Sequence, residues 1–278
     1  MEIAFVLVFA LVVGSFLNVC IIRLPQNLSI SVPRSHCPKC KNFIPWYDNI
    51  PILSYVLLGG RCRHCKKKIA LRYPLIEALN GLMGVLLYLQ FGIGFEWFIF
   101  LCFCSALVVL AMIDIDYRIL PDPITLNGIW IGVIASILLA PPHPFVGRLM
   151  RWMGMEITNP RMIAFVASLL GIIVGGGLLW FVAEAYLRLR GIEGMGFGDV
   201  KMMAMVGAFL GAPLALFTIM IGSLLGSVIG LAFIQFNRKS RNYELPFGTF
   251  LAAAAIIAVL YGDQLIQLYI DKMIRPAL

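Results

Sequence analysis

Apolar residues in this chain gather into long unbroken runs instead of recurring at every second or every third to fourth position. Eight such runs, at 3–22, 73–90, 96–113, 123–140, 162–187, 200–211, 213–236 and 248–270, are predicted as helices. A helix needs about 20 apolar residues to cross the hydrocarbon of a bilayer, and most of the runs supply them. In lipid the backbone has no water to bond, so a run of this kind closes its own hydrogen bonds as a helix. The pattern predicts an all-α polytopic membrane protein with about eight transmembrane helices. The sixth run is short, and its boundary with the seventh is the least sharply marked. Glu2 stands where a basic segment would precede a cleaved signal, and basic residues follow the run instead, so 3–22 reads as a retained first span.

Composition agrees and narrows the function. Of 278 residues 61% are hydrophobic and 13% charged, against about 25% charged in an ordinary globular domain. A soluble or disordered chain is excluded. The net charge is +8, and ten of the 22 Lys and Arg lie between Arg23 and Arg72. Basic loops stay on the cytoplasmic side, so this segment is predicted to be cytoplasmic. With the N-terminus outside, the inner segments also hold Arg118, Arg188, Arg190, Lys201, Arg238, Lys239 and Arg241, while the outer ones keep Arg148, Arg151, Arg161, Lys272 and Arg275. That asymmetry predicts eight spans with both termini outside. It also accounts for the charge without nucleic acid: Lys66-Lys67-Lys68 reads as a solvated loop facing the headgroups of membrane lipid.

The basic loop carries Cys37-Pro38-Lys39-Cys40 and Cys62-Arg63-His64-Cys65, two C-x2-C pairs 21 residues apart. Each pair can place two thiolates at adjacent corners of a tetrahedron, and two pairs complete a zinc shell. Lys39, Lys41, Arg61, Arg63 and Lys66 stand beside the cysteines to offset the charge of four thiolates. Redox disulfides are the competing reading, and a reducing cytoplasm disfavours them. Four protein ligands leave no open position, so the metal is expected to be structural, a staple for a loop of about 50 residues with little core of its own. Cys20, Cys102 and Cys104 lie in apolar runs and read as packing residues.

Only 14 residues are acidic, and a carboxylate at a span costs roughly 3 kcal/mol or more, so each needs a reason. Asp114, Asp116 and Asp122 cluster at the inner end of the third run, and Asp199 follows Gly194, Gly196 and Gly198 at the start of the sixth. On the predicted topology both clusters share one face. Two carboxylates in a partly dry site hold one proton between them, so one can act as base toward water and the other as acid toward a carbonyl. The three glycines remove side chains where an extended peptide would approach. The plain alternative is helix-end decoration, which is kept for Asp122 as N-cap of the next helix. Asp114 and Asp116, two apart, cannot face the same side of a helix. Asp263 and Glu96 read as interfacial residues.

These residues resemble the bacterial type IV prepilin peptidases, bifunctional leader peptidases and N-methyltransferases of the Gly-x-Gly-Asp intramembrane aspartyl protease class. The resemblance covers nearly the whole chain. It runs through Gly14-Ser15-Phe16-Leu17-Asn18-Val19 with Arg23-Leu24-Pro25, the cysteine pairs enclosing residues 44–51, and Arg72-Tyr73-Pro74-Leu75-Ile76-Glu77. It continues with Asp114 and Leu120-Pro121-Asp122, Gly196-Phe197-Gly198-Asp199-Val200-Lys201, and Pro246-Phe247-Gly248. The resemblance implies Asp114 and Asp199 as the catalytic pair, with Asp116 as runner-up and Gly196, Gly198 and Lys201 in support. It implies prepilin or pseudopilin substrates cut after a Gly at the cytoplasmic face of the bacterial inner membrane. It further implies methylation of the new N-terminal amine with S-adenosylmethionine. On this reading 1–22 is the first span, 23–72 the zinc-binding loop and, with adjoining helices, the methyltransferase region, and 73–278 the peptidase core.

Asn18, Arg23, Arg72 and Glu77 are candidates for holding substrate or methyl donor, against a plain role in which Glu77 pairs with Arg72 and Asn18 satisfies backbone. Lys201 could act on Asp199 or on substrate carbonyls, or could snorkel. The stretch 141–160 is longer than the family's usual connection and lies outside in this topology. A proton-coupled transporter would place its carboxylates mid-span in repeated halves. A zinc or serine protease would need histidines that His36, His64 and His143 do not offer. A non-catalytic scaffold would tolerate Ala at both Asp114 and Asp199.

Overall fold

The structure, a computed structural model, describes residues 1–154, 157, 159–192, 194–237 and 246–269. Its elements are helices: α1 (Glu2–Arg23), the short α2 (Leu53–Leu57), α3 (Arg72–Phe91), α4 (Phe95–Tyr117), α5 (Asp122–Leu139), α6 (Pro144–Trp152), α7 (Pro160–Arg190), α8 (Phe197–Asn237) and α9 (Phe247–Tyr269). Seven of them are long and apolar enough to cross a membrane. The chain is a multi-pass membrane protein. The difference from eight predicted spans lies in α8, which holds the sixth and seventh runs as one element broken at Gly211. There φ is 76° and ψ 174°, a region open only to glycine, and Pro213 begins the second arm.

The chain divides into two compact units, Met1–Ile113 and Asp114–Leu278. In the first, α1 and α3 lie close because small residues meet at the seam. A methyl at Gly14 would stand 2.9 Å from the Glu77 Cα, and Gly84 faces Ala10. Asn80, fully buried, donates to the Ala10 carbonyl at 2.7 Å and accepts from the Ser105 hydroxyl at 2.8 Å. Trp97 donates to the Gly84 carbonyl at 2.9 Å. Side-chain to backbone bonds of this kind join helices where lipid gives no hydrophobic push.

In the second unit the first arm of α8 packs on α7 and α5. Gly171 and Gly207 bring the α7 and α8 backbones together so closely that a Cβ on either would overlap the other's carbonyl, and Gly128 sits over Met205. Ser168 donates to the Ala208 carbonyl at 2.8 Å. The second arm packs on α9, with Leu214 at Gly262, Gly222 at Leu251 and Gly226 at Phe250. Asp199, at the start of one arm, and Gly226, late in the other, both reach the first turns of α9. The chain therefore reverses at Gly211 and returns as a helical hairpin.

The 141–160 stretch contains α6, an amphipathic helix whose Val146 and Met150 pack on Ala167 of α7 while Phe145 and Trp152 stay exposed. Cys20 and Cys104 are buried as expected, but Cys102 is exposed, turned outward from α4 while its neighbours Leu101 and Phe103 are buried to either side. Arg238, Lys239, Arg241, Lys272 and Arg275, counted in the topology argument, and Ile270, the predicted end of the last span, lie outside the described residues.

Candidate active site and metal cluster

Asp114 lies in the last turn of α4, where the helix ends as Arg118 takes a positive φ and donates its amide to the Asp114 carbonyl at 2.9 Å. Burial separates the two nearby aspartates: Asp114 is 5% exposed, whereas Asp116, two residues on, faces outward. Asp199 sits in the first turn of α8 and is 8% exposed. The structure brings Asp114 and Asp199 together at Gly248. A methyl built there would stand 2.9 Å from Asp199 Oδ1 and 3.1 Å from Asp114 Oδ2. The carboxylates thus flank a space that only a missing side chain leaves open.

Thr249, the next residue, gives Asp114 Oδ2 two hydrogen bonds, from its amide at 2.8 Å and from its hydroxyl at 3.1 Å. Sequence reasoning did not single out Thr249. Nothing at the residue itself marks it, and the only signal was its place directly after Pro246-Phe247-Gly248.

The glycines before Asp199 have separate duties. A Cβ at Gly198 would meet Leu120 at 3.0 Å, and one at Gly194 would strike Tyr186 at 2.5 Å, so both are packing positions. Gly196 alone borders open space, with Asp199 Oδ2 at 4.0 Å. Asp122 does not cap its helix as expected: Pro121 is the N-cap of α5, without a side-chain cap bond. Its carboxylate instead takes Lys201 Nζ at 2.7 Å, and the same ammonium lies 5.3 Å from the Phe197 ring centre. A half-exposed pair of this kind fixes geometry more than it adds stability.

In the first unit, the two cysteine pairs form matching knuckles. The Lys41 amide donates to the Cys37 carbonyl at 2.9 Å and the Lys66 amide to the Cys62 carbonyl at 3.0 Å. Lys41 and Lys66 both take positive φ, and each knuckle is closed by a single antiparallel bridge, His36 with Phe43 and Arg61 with Lys68. The four sulfurs lie within 4.8 Å of one another, with Cys37 to Cys65 at 3.9 Å and Cys40 to Cys62 at 4.0 Å. Tetrahedral thiolates around an ion at about 2.3 Å stand about 3.8 Å apart, so the donor set fits a metal. Burial works to raise the Cys37 thiol, but the Cys40 and Lys39 amides and the neighbouring thiols outweigh it and bring it below its ordinary range, while the thiols around Cys40 push that one up. Arg63 makes a two-pronged bond to Asp48, at 2.7 and 2.6 Å, which holds that carboxyl below its ordinary range.

The remaining candidates are distributed around this loop. Asn18 is buried and donates to the Tyr73 carbonyl at 3.2 Å and to the Gly14 carbonyl at 3.4 Å. Arg23 braces the start of the loop through the Ser29 and Pro33 carbonyls at 2.9 and 2.7 Å. Glu77 accepts the Ile52 amide at 2.8 Å, and Arg72 donates to the Met112 carbonyl at 3.2 Å. Between the end of α1 and the loop lies a cleft of about 380 Å³ lined by Ser15, Phe16, Arg23, Arg34, Trp46 and Asn49 among others.

Residues 8–91 match the model of the bacterial peptidase A24 N-terminal domain, and residues 101–231 match that of the type IV leader peptidase family. A prepilin leader peptidase/N-methyltransferase of Pseudomonas putida is 32% identical over 280 residues, covering 93% of this chain and 90% of that protein. Proteins of the same name from Aeromonas salmonicida and Pseudomonas aeruginosa are each 32% identical over 294 residues, covering 97% and 96% of this chain and 94% of each relative. No solved structure matches the chain.

Proposed function

The chain belongs to the type IV leader peptidase family, and from that premise we propose that Asp114 and Asp199 cleave a prepilin or pseudopilin leader after its Gly, at the cytoplasmic face of the bacterial inner membrane. The observation that carries this reading is the meeting of two buried carboxylates across Gly248. Such a pair shares one proton. The ionised member takes a proton from water as the water oxygen attacks the scissile carbonyl, and the protonated member gives its proton to the carbonyl oxygen. The glycine at 196 leaves room for the extended backbone on which this chemistry acts. Asp116, exposed on α4, has no place in the pair.

The relatives' names carry a second activity, N-methyl transfer. In this reading S-adenosylmethionine supplies the methyl group to the new N-terminal amine. The cleft of the first unit is the site that suits the donor. Its volume lies within the range of small-molecule pockets, Arg34 stands at its rim for a carboxylate, and Trp46 and Phe16 offer faces to an adenine or a sulfonium. It extends from lipid-level residues of α1 such as Phe16 to the basic loop, where an amine at the end of a membrane helix would arrive. Cys37, Cys40, Cys62 and Cys65 would hold Zn2+ as a closed structural site that fixes the loop walling this cleft.

Mass spectrometry on a full-length prepilin incubated with the purified protein, with and without S-adenosylmethionine, tests both activities. Loss of a leader after Gly, and one added methyl only with the donor, is the expected result. A D199A protein that still cleaves overturns the assignment of the pair.

A further inference from the structure

Asp114 Oδ2 is the acceptor of two donors from one residue, the Thr249 amide at 2.8 Å and the Thr249 hydroxyl at 3.1 Å. A hydroxyl can exchange donor and acceptor roles, but a backbone N–H only donates. An oxygen facing that N–H therefore presents a lone pair, not a proton. Thr249 is in the first turn of α9, where N–H groups have no acceptor one turn earlier in the same helix and point out of the helix end toward Asp114. Gly248, with no side chain, lets the turn approach the carboxylates closely enough to bond. No such pair of donors from α9 reaches Asp199 among the described contacts. From α9 it is approached at Gly248, where a built Cβ would stand 2.9 Å from its Oδ1, and its own amide donates to the Gly196 carbonyl at 3.1 Å.

We propose that Thr249 is a positioning residue that divides the roles of the two aspartates, holding Asp114 as the ionised base and leaving the shared proton to Asp199 as the acid. This rests on the reading of Asp114 and Asp199 as the catalytic pair. The water oxygen bonds to the scissile carbon, the water proton passes to Asp114, and the Asp199 proton passes to the carbonyl oxygen. As the tetrahedral diol collapses, the carbon–nitrogen bond breaks, Asp114 returns its proton to the leaving amine, and one diol proton restores Asp199. Both aspartates end as they began. Charge-assisted bonds to the base matter because they orient it as well as hold its charge.

Three variants separate this role from packing. T249S keeps both donors, T249V keeps the amide and loses the hydroxyl, and T249P, tolerated in a first helical turn, loses both. On a prepilin substrate T249S is expected to cleave within about twofold of the parent. T249V should lose about tenfold in kcat and T249P more, with KM unchanged. The pH–rate profile should shift in T249V and not in T249S. Equal melting temperatures show that the fold is intact, and if T249P does not fold, T249V carries the test. A T249V enzyme with parental kcat, or with a raised KM at unchanged kcat, overturns the proposal. Cleavage by D114A or D199A would instead overturn the pair itself, so the two failures are distinguishable.

Discussion

Gly248 shows how much a single missing side chain decides. The two carboxylates approach the same point in space, and an added Cβ would meet Asp199 Oδ1, Leu120 Cδ1 and Asp114 Oδ2 at 2.9, 3.0 and 3.1 Å. Two of these three neighbours are the proposed reacting groups, so relief of the clash must move them. Displacement of a catalytic group by about 1 Å costs on the order of a hundredfold. G248A is therefore expected to reduce prepilin cleavage about a hundredfold or more while the protein still folds, as measured by leader release and by thermal melting. Parental cleavage in G248A would show that the carboxylates are not held at this point. The sequence pointed to the two aspartate clusters by type and motif, and to Asp114 over Asp116 and to Gly248 by resemblance. It could not identify Thr249, whose contact spans 135 residues of chain.

At the scale of elements, α8 carries the decision that the apolar pattern left least sharp. The run from 200 to 236 is continuous in hydropathy, and a helix of the full length would carry its far end away from α9. Gly211 breaks it with a backbone conformation that costs other residues roughly 1–3 kcal/mol. G211A is expected to lower the melting temperature in detergent and to impair cleavage, because the hairpin sets both Asp199 and the second arm against α9. An unchanged melting temperature would mean that the kink is not required. The cysteine loop is the opposite case, since its spacing specifies its geometry almost completely. Two knuckles with the same amide bonds and the same positive-φ lysine bring the sulfurs within 4.8 Å. C37S is expected to reduce bound zinc from one per chain toward none by elemental analysis, and unchanged zinc would end the metal assignment.

On the scale of the molecule, the chain has two compact units, and the two family models fall largely one on each, 8–91 and 101–231. The aspartate pair, Gly248 and Thr249 all belong to the second unit, and the cysteine cluster and the cleft to the first. This partition predicts separable activities. D199A should abolish cleavage yet still methylate a pre-cleaved pilin, read as a single methyl added in the presence of S-adenosylmethionine. Equal loss of both reactions in a folded D199A protein would show that the sites are one.

The sequence by itself determined the class of the molecule, because apolar runs of membrane length have only helices open to them, and it determined the cysteine knuckles, because the two cysteines of each pair are neighbours in the chain. It also narrowed the chemistry to a few carboxylates, since charge at a span is costly enough to need a reason. The tertiary structure decided what depends on residues distant in sequence. Asp114 is buried while Asp116 is exposed, Asp122 is tied to Lys201 instead of capping α5, and Gly198 packs under Leu120 while Gly196 stays open. Each of these is set by which helix faces meet, and a uniformly apolar run carries almost no periodic mark of the face it will turn inward.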